Sequence, residues 1–172
     1  MGAKDHRTRA EDVGPARCAV LTVSDSRTRD TDESGRLALE ILAKFGHVVA
    51  GHQIVPNKPR AIAAAVAAAL KDADMAITIG GTGPSKRDVS IEAVRGLVEK
   101  ELPGFGEMFR ALSQKEIGTA ALMSRALLGV TKAGRLVVAV PGSPGAVRLA
   151  LETILMNEIK HILWEVRRYA QP

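Results

Sequence analysis

The clearest chemistry in this sequence lies in Gly80-Gly81-Thr82-Gly83-Pro84-Ser85-Lys86-Arg87-Asp88-Val89-Ser90, which follows the apolar run Met75-Ala76-Ile77-Thr78-Ile79. Lacking a Cβ, glycine turns tightly and lets backbone N–H groups come close to a ligand. A row of such N–H groups at a strand end can hold an anion. Asp88 follows five residues after the last glycine, where a carboxylate can hold a metal ion that bridges phosphates. The segment therefore reads as a phosphate site with its own metal ligand. Taken alone, the glycines serve a tight turn equally well, and Asp88 equally well sits near a helix start.

The elements that must position these residues alternate along the chain. Positions 17–23 (RCAVLTV) are a nearly continuous apolar strand, as buried parallel strands are. An amphipathic helix over 34–44 follows, with Gly46 as its C-terminal cap. A second strand covers 47–55, and an alanine-rich helix 60–71. The third strand, 75–79, leads into the glycine loop. Ser90 is expected to cap a helix through 100. Pro103-Gly104-Phe105-Gly106 is expected to break the chain before a helix over 107–126. Strands at 127–131 and 136–140 flank the turn Lys132-Ala133-Gly134-Arg135. A second glycine loop, Pro141-Gly142-Ser143-Pro144-Gly145, opens a last helix over 146–168. Its apolar residues Ile154, Leu155, Ile159, Ile162 and Leu163 suit either a core or an interface.

This order predicts a three-layer α/β/α fold, a mostly parallel sheet with one antiparallel edge strand. Residues 1–15 are polar and irregular, expected to form a flexible arm, and 16–172 a single domain. Three polar loops then fall at strand C-termini: Ser24-Asp25-Ser26, Gly80 to Asp88, and Pro141 to Gly145. Open α/β sheets bind ligands at that edge, where strand order reverses. Three converging loops are a more specific signal than any one glycine cluster.

Composition narrows the classes. At 172 residues, 46% hydrophobic and 3% aromatic, the chain can bury a substantial core built from Ala, Val, Ile and Leu. No apolar run suits a membrane span, and the charged N-terminus lacks a signal-peptide core, so a cytoplasmic location is expected. The single cysteine, Cys18, excludes an internal disulfide and reads as a small core residue. The net charge of +5 has no interleaved aromatics, which argues for an anionic small molecule rather than nucleic acid. His6, His47, His52 and His161 show no metal-ligand spacing. Known nucleotide motifs fit poorly: Pro84-Ser85-Lys86 does not end a P-loop, and Lys86 stands where a dinucleotide fingerprint needs its third glycine.

The chain resembles the MoaB/MogA family of molybdenum-cofactor biosynthesis proteins, the molybdopterin adenylyltransferases. The resemblance is carried by Thr22-Val23-Ser24-Asp25-Ser26, Gly80-Gly81-Thr82-Gly83 and Arg87-Asp88-Val89-Ser90 with Glu92-Ala93. Further on it is carried by Pro103-Gly104-Phe105-Gly106-Glu107, Ser124-Arg125 and Pro141-Gly142-Ser143-Pro144. The stretch 105–129 is closer to the MoaB branch.

What the resemblance implies is a transfer of AMP from ATP to the terminal phosphate of molybdopterin, releasing pyrophosphate. Asp88 would hold Mg²⁺ on the triphosphate. Gly80, Gly81, Thr82 and Gly83 would cradle a phosphate near the pterin, while Ser24, Asp25, Ser26, Pro141, Gly142, Ser143 and Pro144 would line the rest of the pocket. Ser113, Ser124 and Arg125 would bind the pterin or its phosphate. The family also implies a homotrimer or hexamer, a downstream metal-insertion protein as partner, and molybdenum or tungsten as the final metal. One position departs: where family members read Val-Pro-Asp, this chain reads Val55-Pro56-Asn57. Asn57 keeps an oxygen but loses the charge of a residue that would act beside Asp88, with Asp25 or Glu92 as substitutes. On this basis Asn57→Asp is expected to raise turnover. A non-catalytic molybdopterin-binding or scaffold protein of the same fold is the alternative.

Overall fold

A computed structural model describes residues 13–168 of the chain. Its elements run β1 (Arg17–Val23), α1 (Glu33–Lys44), β2 (Val48–Val55), α2 (Pro59–Ala69), β3 (Met75–Ile79), α3 (Ser90–Arg95), β4 (Lys100–Glu101) and α4 (Pro103–Ile117). A 3₁₀ turn (Gly118–Met123), β5 (Leu127–Val130), β6 (Leu136–Val140), α5 (Pro144–Arg148), a wide-wound π segment (Leu149–Leu155) and α6 (Ile159–Arg167) complete them. Of the expected N-terminal arm 1–15, residues 1–12 lie outside the described residues; Val13 packs against the core.

One six-stranded sheet forms in the order β2-β1-β3-β6-β5-β4. The first four strands are mutually parallel, and β5 runs antiparallel to both of its neighbours. The antiparallel edge thus has two strands, the outermost being the two-residue β4, a length below what periodicity can register. Side chains alternate across the sheet with period two. Cys18 and Val20 of β1, Met75, Ile77 and Ile79 of β3, and Leu136, Val138 and Val140 of β6 pack on the face that α1, α4, the π segment and α6 cover. Ala19, Leu21, Ala76, Val137 and Ala139 meet Ile62 and Val66 of α2 and Ile91 and Val94 of α3 on the other. Both faces of the central strands are buried, which is why those strands read as unbroken apolar runs.

Several helix boundaries differ from the sequence expectation, each for a local reason. α4 begins at Pro103 instead of 107, because proline is tolerated in the first helical turn and Phe105 and Phe109 gain burial there. It ends at Gly118, whose φ of 60° leaves helical space, so 118–123 tighten into the 3₁₀ turn. α3 stops at Gly96, short of the expected 100. The expected single helix over 146–168 divides into three. Leu149, Ala150, Leu151, Ile154, Leu155 and Met156 are all buried, too broad a set for a 3.6-residue stripe. The wider winding, with Met156 N–H donating to the Leu151 carbonyl at 2.9 Å, turns them all inward. Ile154, Leu155, Ile159 and Leu163 therefore belong to the core, with Ile162 packed beside them. Gly46 caps α1 as expected, with φ 75° and its N–H on the Ala43 carbonyl.

Candidate functional site

The sheet places the β1, β3 and β6 loops side by side at the carboxyl edge of the parallel strands. The helix after β1 packs on one face and the helix after β3 on the other, so adjacent loops diverge and leave a crevice there. The approach is close. Gly80 N–H donates to the Val140 carbonyl at 2.9 Å, and a Cβ on Gly80 would stand 2.8 Å from the Val23 carbonyl oxygen. A Cβ on Gly142 would stand 3.2 Å from Gly80 Cα. The backbones of three loops touch, and only glycine permits it.

Within the β3 loop the four successive carbonyls of Gly80 to Gly83 are each claimed by Ser90 or Arg125. The Gly80 carbonyl accepts from Ser90 Oγ at 2.7 Å and the Gly81 carbonyl from Ser90 N–H at 2.8 Å. The Thr82 carbonyl accepts from Arg125 Nε at 2.8 Å and the Gly83 carbonyl from Arg125 Nη2 at 3.0 Å. In a planar trans peptide the C=O of one residue opposes the N–H of the next. Fixing those carbonyls therefore aims the N–H groups of Gly81, Thr82 and Gly83 the other way. Among the described residues none of the three finds a protein acceptor. Positive φ at Gly80 (100°) and Gly81 (63°) shapes the concavity. The concavity has the form in which backbone amides can hold an anion, a nest.

Asp88 stands at its rim, half-buried. Its Oδ2 accepts from Ser85 N–H at 3.2 Å and would lie 2.8 Å from a Cβ on Gly83; its Oδ1 accepts no hydrogen bond among the described residues. Lys86 and Arg87, both exposed, extend from the same loop. The donors near Asp88 are hard oxygens, which suit Mg²⁺, a cation usually held by one or two carboxylates plus substrate phosphates. No group of three or more His, Cys, Asp or Glu able to hold a metal exists among the described residues. The site fits a cation whose shell a phosphate ligand completes.

Asn57, just after β2, ties the β1 loop to the β3 loop. Its N–H donates to Asp25 Oδ1 at 2.9 Å, and its Nδ2 donates to the Arg87 carbonyl at 2.5 Å. Arg87 Nη2 lies 3.9 Å from Asp25 Oδ2, a long, exposed contact of little energy. Asn57 Oδ1 is buried without a partner, facing Gly81, where a Cβ would come within 2.9 Å of it. Ser24 Oγ accepts from the N–H groups of Ser26 and Arg27, closing the β1 loop on itself. Ser143 caps α5 by accepting from Ala146 N–H, with Pro144 in the first turn. Pro141 and Gly142 connect β6 to that cap.

Of the expected residues, the fold brings together Ser24, Asp25, Asn57, Gly80 to Gly83, Asp88, Arg125 and Gly142. Ser113 lies on the buried face of α4 and Ser124 between the 3₁₀ turn and β5; neither hydroxyl bonds to the three loops. Two contributors were not foreseen. Ser90, expected as a helix cap, is a buried donor to the loop, and Val89 holds the cap position. Ser34 Oγ donates to the Gly142 carbonyl at 2.7 Å, tying α1 to the β6 loop. No spacing in the sequence signals either bond.

Behind β1, buried Asp32 caps α1 through Gly35 N–H and accepts from Thr22 Oγ1 at 2.6 Å, with His52 Nε2 at 2.9 Å. Burial opposes its charge, but the bonds from Thr22, Gly35 and His52 outweigh it and hold the carboxyl below the usual range. Glu92 is also held low, first by its hydrogen bond from Arg125.

Parallel strands ending in three converging loops, two of them glycine-bearing, an outward row of amides and one poised carboxylate define an α/β protein with a polar crevice at the sheet's carboxyl edge. Known proteins place it more narrowly. Residues 19–161 match the family model described as "Probable molybdopterin binding domain", and the chain belongs to this family of molybdenum-cofactor biosynthesis proteins. It is 44% identical over 171 residues, 98% of this chain and 99% of the relative, to "Molybdenum cofactor biosynthesis protein B" of Bacillus subtilis (strain 168). A crystal structure of Molybdenum cofactor biosynthesis protein B superposes with TM-score 0.86 at 45% identity, covering 90% of this chain and 97% of that one. The tungsten cofactor synthesizing protein MoaB from Pyrococcus furiosus superposes with TM-score 0.81 at 38% identity, covering 89% and 98%. No helix among the described residues is long and apolar enough to cross a membrane.

Proposed function

We propose that this protein acts in molybdenum or tungsten cofactor biosynthesis by transferring AMP from ATP to the terminal phosphate of molybdopterin. A phosphate oxygen of molybdopterin attacks the α-phosphorus, the bond to the β-phosphate breaks, and pyrophosphate leaves. The observation that carries this reading is the row of N–H groups at Gly81, Thr82 and Gly83, turned outward beside the Asp88 carboxylate. Such a reaction asks mainly for positioning and charge stabilisation. The nest holds the attacking phosphate, and Ser24, Asp25 and the Gly142-Ser143 loop border the nucleotide side. Asp88 would hold Mg²⁺, which when bound neutralises charge on the triphosphate. The same reading places the protein in the cytoplasm as a homotrimer or hexamer that passes its product to a metal-insertion protein.

A second reading, a non-catalytic molybdopterin-binding or scaffold protein, is favoured by Asn57. It presents an amide engaged with Arg87 where an acid beside Asp88 was expected. Incubation of the pure protein with molybdopterin, ATP and Mg²⁺ separates the two by pyrophosphate release. The enzyme reading expects release that Asp88→Ala abolishes without unfolding the chain. Molybdopterin binding with no pyrophosphate makes the protein a scaffold.

A further inference from the structure

Arg125 reaches from just before β5 to the β3 loop, and its donors are almost fully occupied. Nε serves the Thr82 carbonyl and Nη2 the Gly83 carbonyl. Nη1 meets Glu92 Oε1 at 2.5 Å and Nη2 meets Glu92 Oε2 at 3.3 Å, a forked pair from α3. Four of the five N–H groups that a guanidinium offers are thus committed to the protein. Arginine at a phosphate site is ordinarily a direct anion ligand, but this one has a single N–H left.

We infer that Glu92 and Arg125 are positioning residues: Glu92 fixes the guanidinium, the guanidinium fixes the Thr82 and Gly83 carbonyls, the Thr82 carbonyl aims the Gly83 N–H at the anion, and the Gly83 carbonyl anchors the following peptide to Pro84, which carries no N–H. The inference rests on the nest being the phosphate site. The pair is a third to half exposed, so its contribution to overall stability is small. Its effect is on direction. Release of the fork frees the Thr82–Gly83 peptide to rotate about two glycine-rich flanks, and the nest loses its preorganisation. Ser90 fixes the first two carbonyls of the same loop from α3, so one short helix carries both Ser90 and Glu92 and orients the whole row.

A direct-ligand role and a positioning role predict opposite signs for one substitution. Glu92→Gln removes a negative charge near an anion site and frees Arg125. Were Arg125 a ligand, anion affinity would rise; as a positioning residue, affinity falls. The experiment titrates inorganic pyrophosphate into the full chain by calorimetry and follows the ¹⁵N amide signals of Gly81, Thr82 and Gly83 without ligand. Glu92→Gln and Arg125→Lys are each expected to weaken pyrophosphate binding about tenfold, as outer-shell changes do at metal sites. The unfolding midpoint should move by no more than about 4 °C, and the Gly83 amide signal should shift. Equal or tighter binding by Glu92→Gln, or unchanged affinity in Arg125→Lys, overturns the inference. If the parent protein itself binds no pyrophosphate, the phosphate reading of the nest fails separately. The amide signals then decide the positioning role alone: unmoved signals in Glu92→Gln overturn it, and moved ones sustain it.

Discussion

Asn57→Asp tests the site at the position where the family resemblance leads one to expect an acid. The sequence alone predicts a gain in turnover from the restored charge. The structure adds a condition, because Asn57 Nδ2 donates to the Arg87 carbonyl at 2.5 Å while Oδ1 is already buried without a partner. A carboxylate there loses the donor, worth about 1 kcal/mol. It also spreads charge onto the oxygen in the buried, unpartnered Oδ1 position, which costs a further 1–3 kcal/mol or so. Without metal the variant should therefore be about 2–4 kcal/mol less stable than the parent. A cation binding only the folded form returns about 2.7 kcal/mol at one hundred times its dissociation constant. Urea unfolding in EDTA and in excess Mg²⁺ measures both quantities, and pyrophosphate release is followed across the same Mg²⁺ series. The expected pattern is a large loss of stability in EDTA, most of it recovered in Mg²⁺, with turnover above the parent only at high Mg²⁺. Equal stability of variant and parent in EDTA would refute the role given to the Nδ2–Arg87 bond. Recovery of stability without any gain in turnover would show that charge at this position does not limit the rate.

Gly81→Ala should disable the nest: the new methyl would stand 2.6 Å from Ser90 Oγ at a φ of 63°. Backbone strain of about 1–2 kcal/mol plus a displaced Ser90, about 1 kcal/mol per lost bond, should appear in urea unfolding together with loss of pyrophosphate binding. Asp32 has a folded pKa below its unfolded value of about 4. Its stabilisation is therefore complete above that value and disappears as pH falls through the folded pKa. Asp74 behaves alike: burial opposes its charge, but the Arg17 N–H and the guanidinium groups of Arg167 and Arg135 prevail. Burial, with the Lys160 charge, holds the His47 pKa below its unfolded value of about 6.5, so stability should begin to fall as pH drops through about 6.5 and fall further below about 4. Asp32→Asn should flatten part of the lower fall in acid-unfolding curves. Burial pushes the Cys18 thiol up to about 12, so Ellman's reagent at pH 8 should label it only at the rate of unfolding.

Much of the fold was legible because it depends on local periodicity. The nearly continuous apolar stretches of β1, β3 and β6 are what strands buried on both faces require, and the glycines after β3 and β6 need no partner to announce a turn. Helix limits were less legible wherever burial competed with local signals. Pro103 to Gly106 reads as a breaker, yet it is the first turn of α4 because Phe105 finds the core. The run 149–156 reads as α-helix, yet winds wider because six of its residues are buried.

The sequence by itself determined that three polar loops follow strands, that Gly80 to Gly83 can turn tightly, and that Asp88 follows five residues on. Chain order and residue type suffice for those statements. Tertiary structure alone decided which way the loop's peptides face, since Ser90 and Arg125 grip its carbonyls from 10 and 42–43 residues away. It likewise decided that Asn57 spends its amide on the Arg87 carbonyl, 30 residues distant. A peptide group's orientation is set by whatever hydrogen-bonds to it, and at this site those partners come from other elements of the fold.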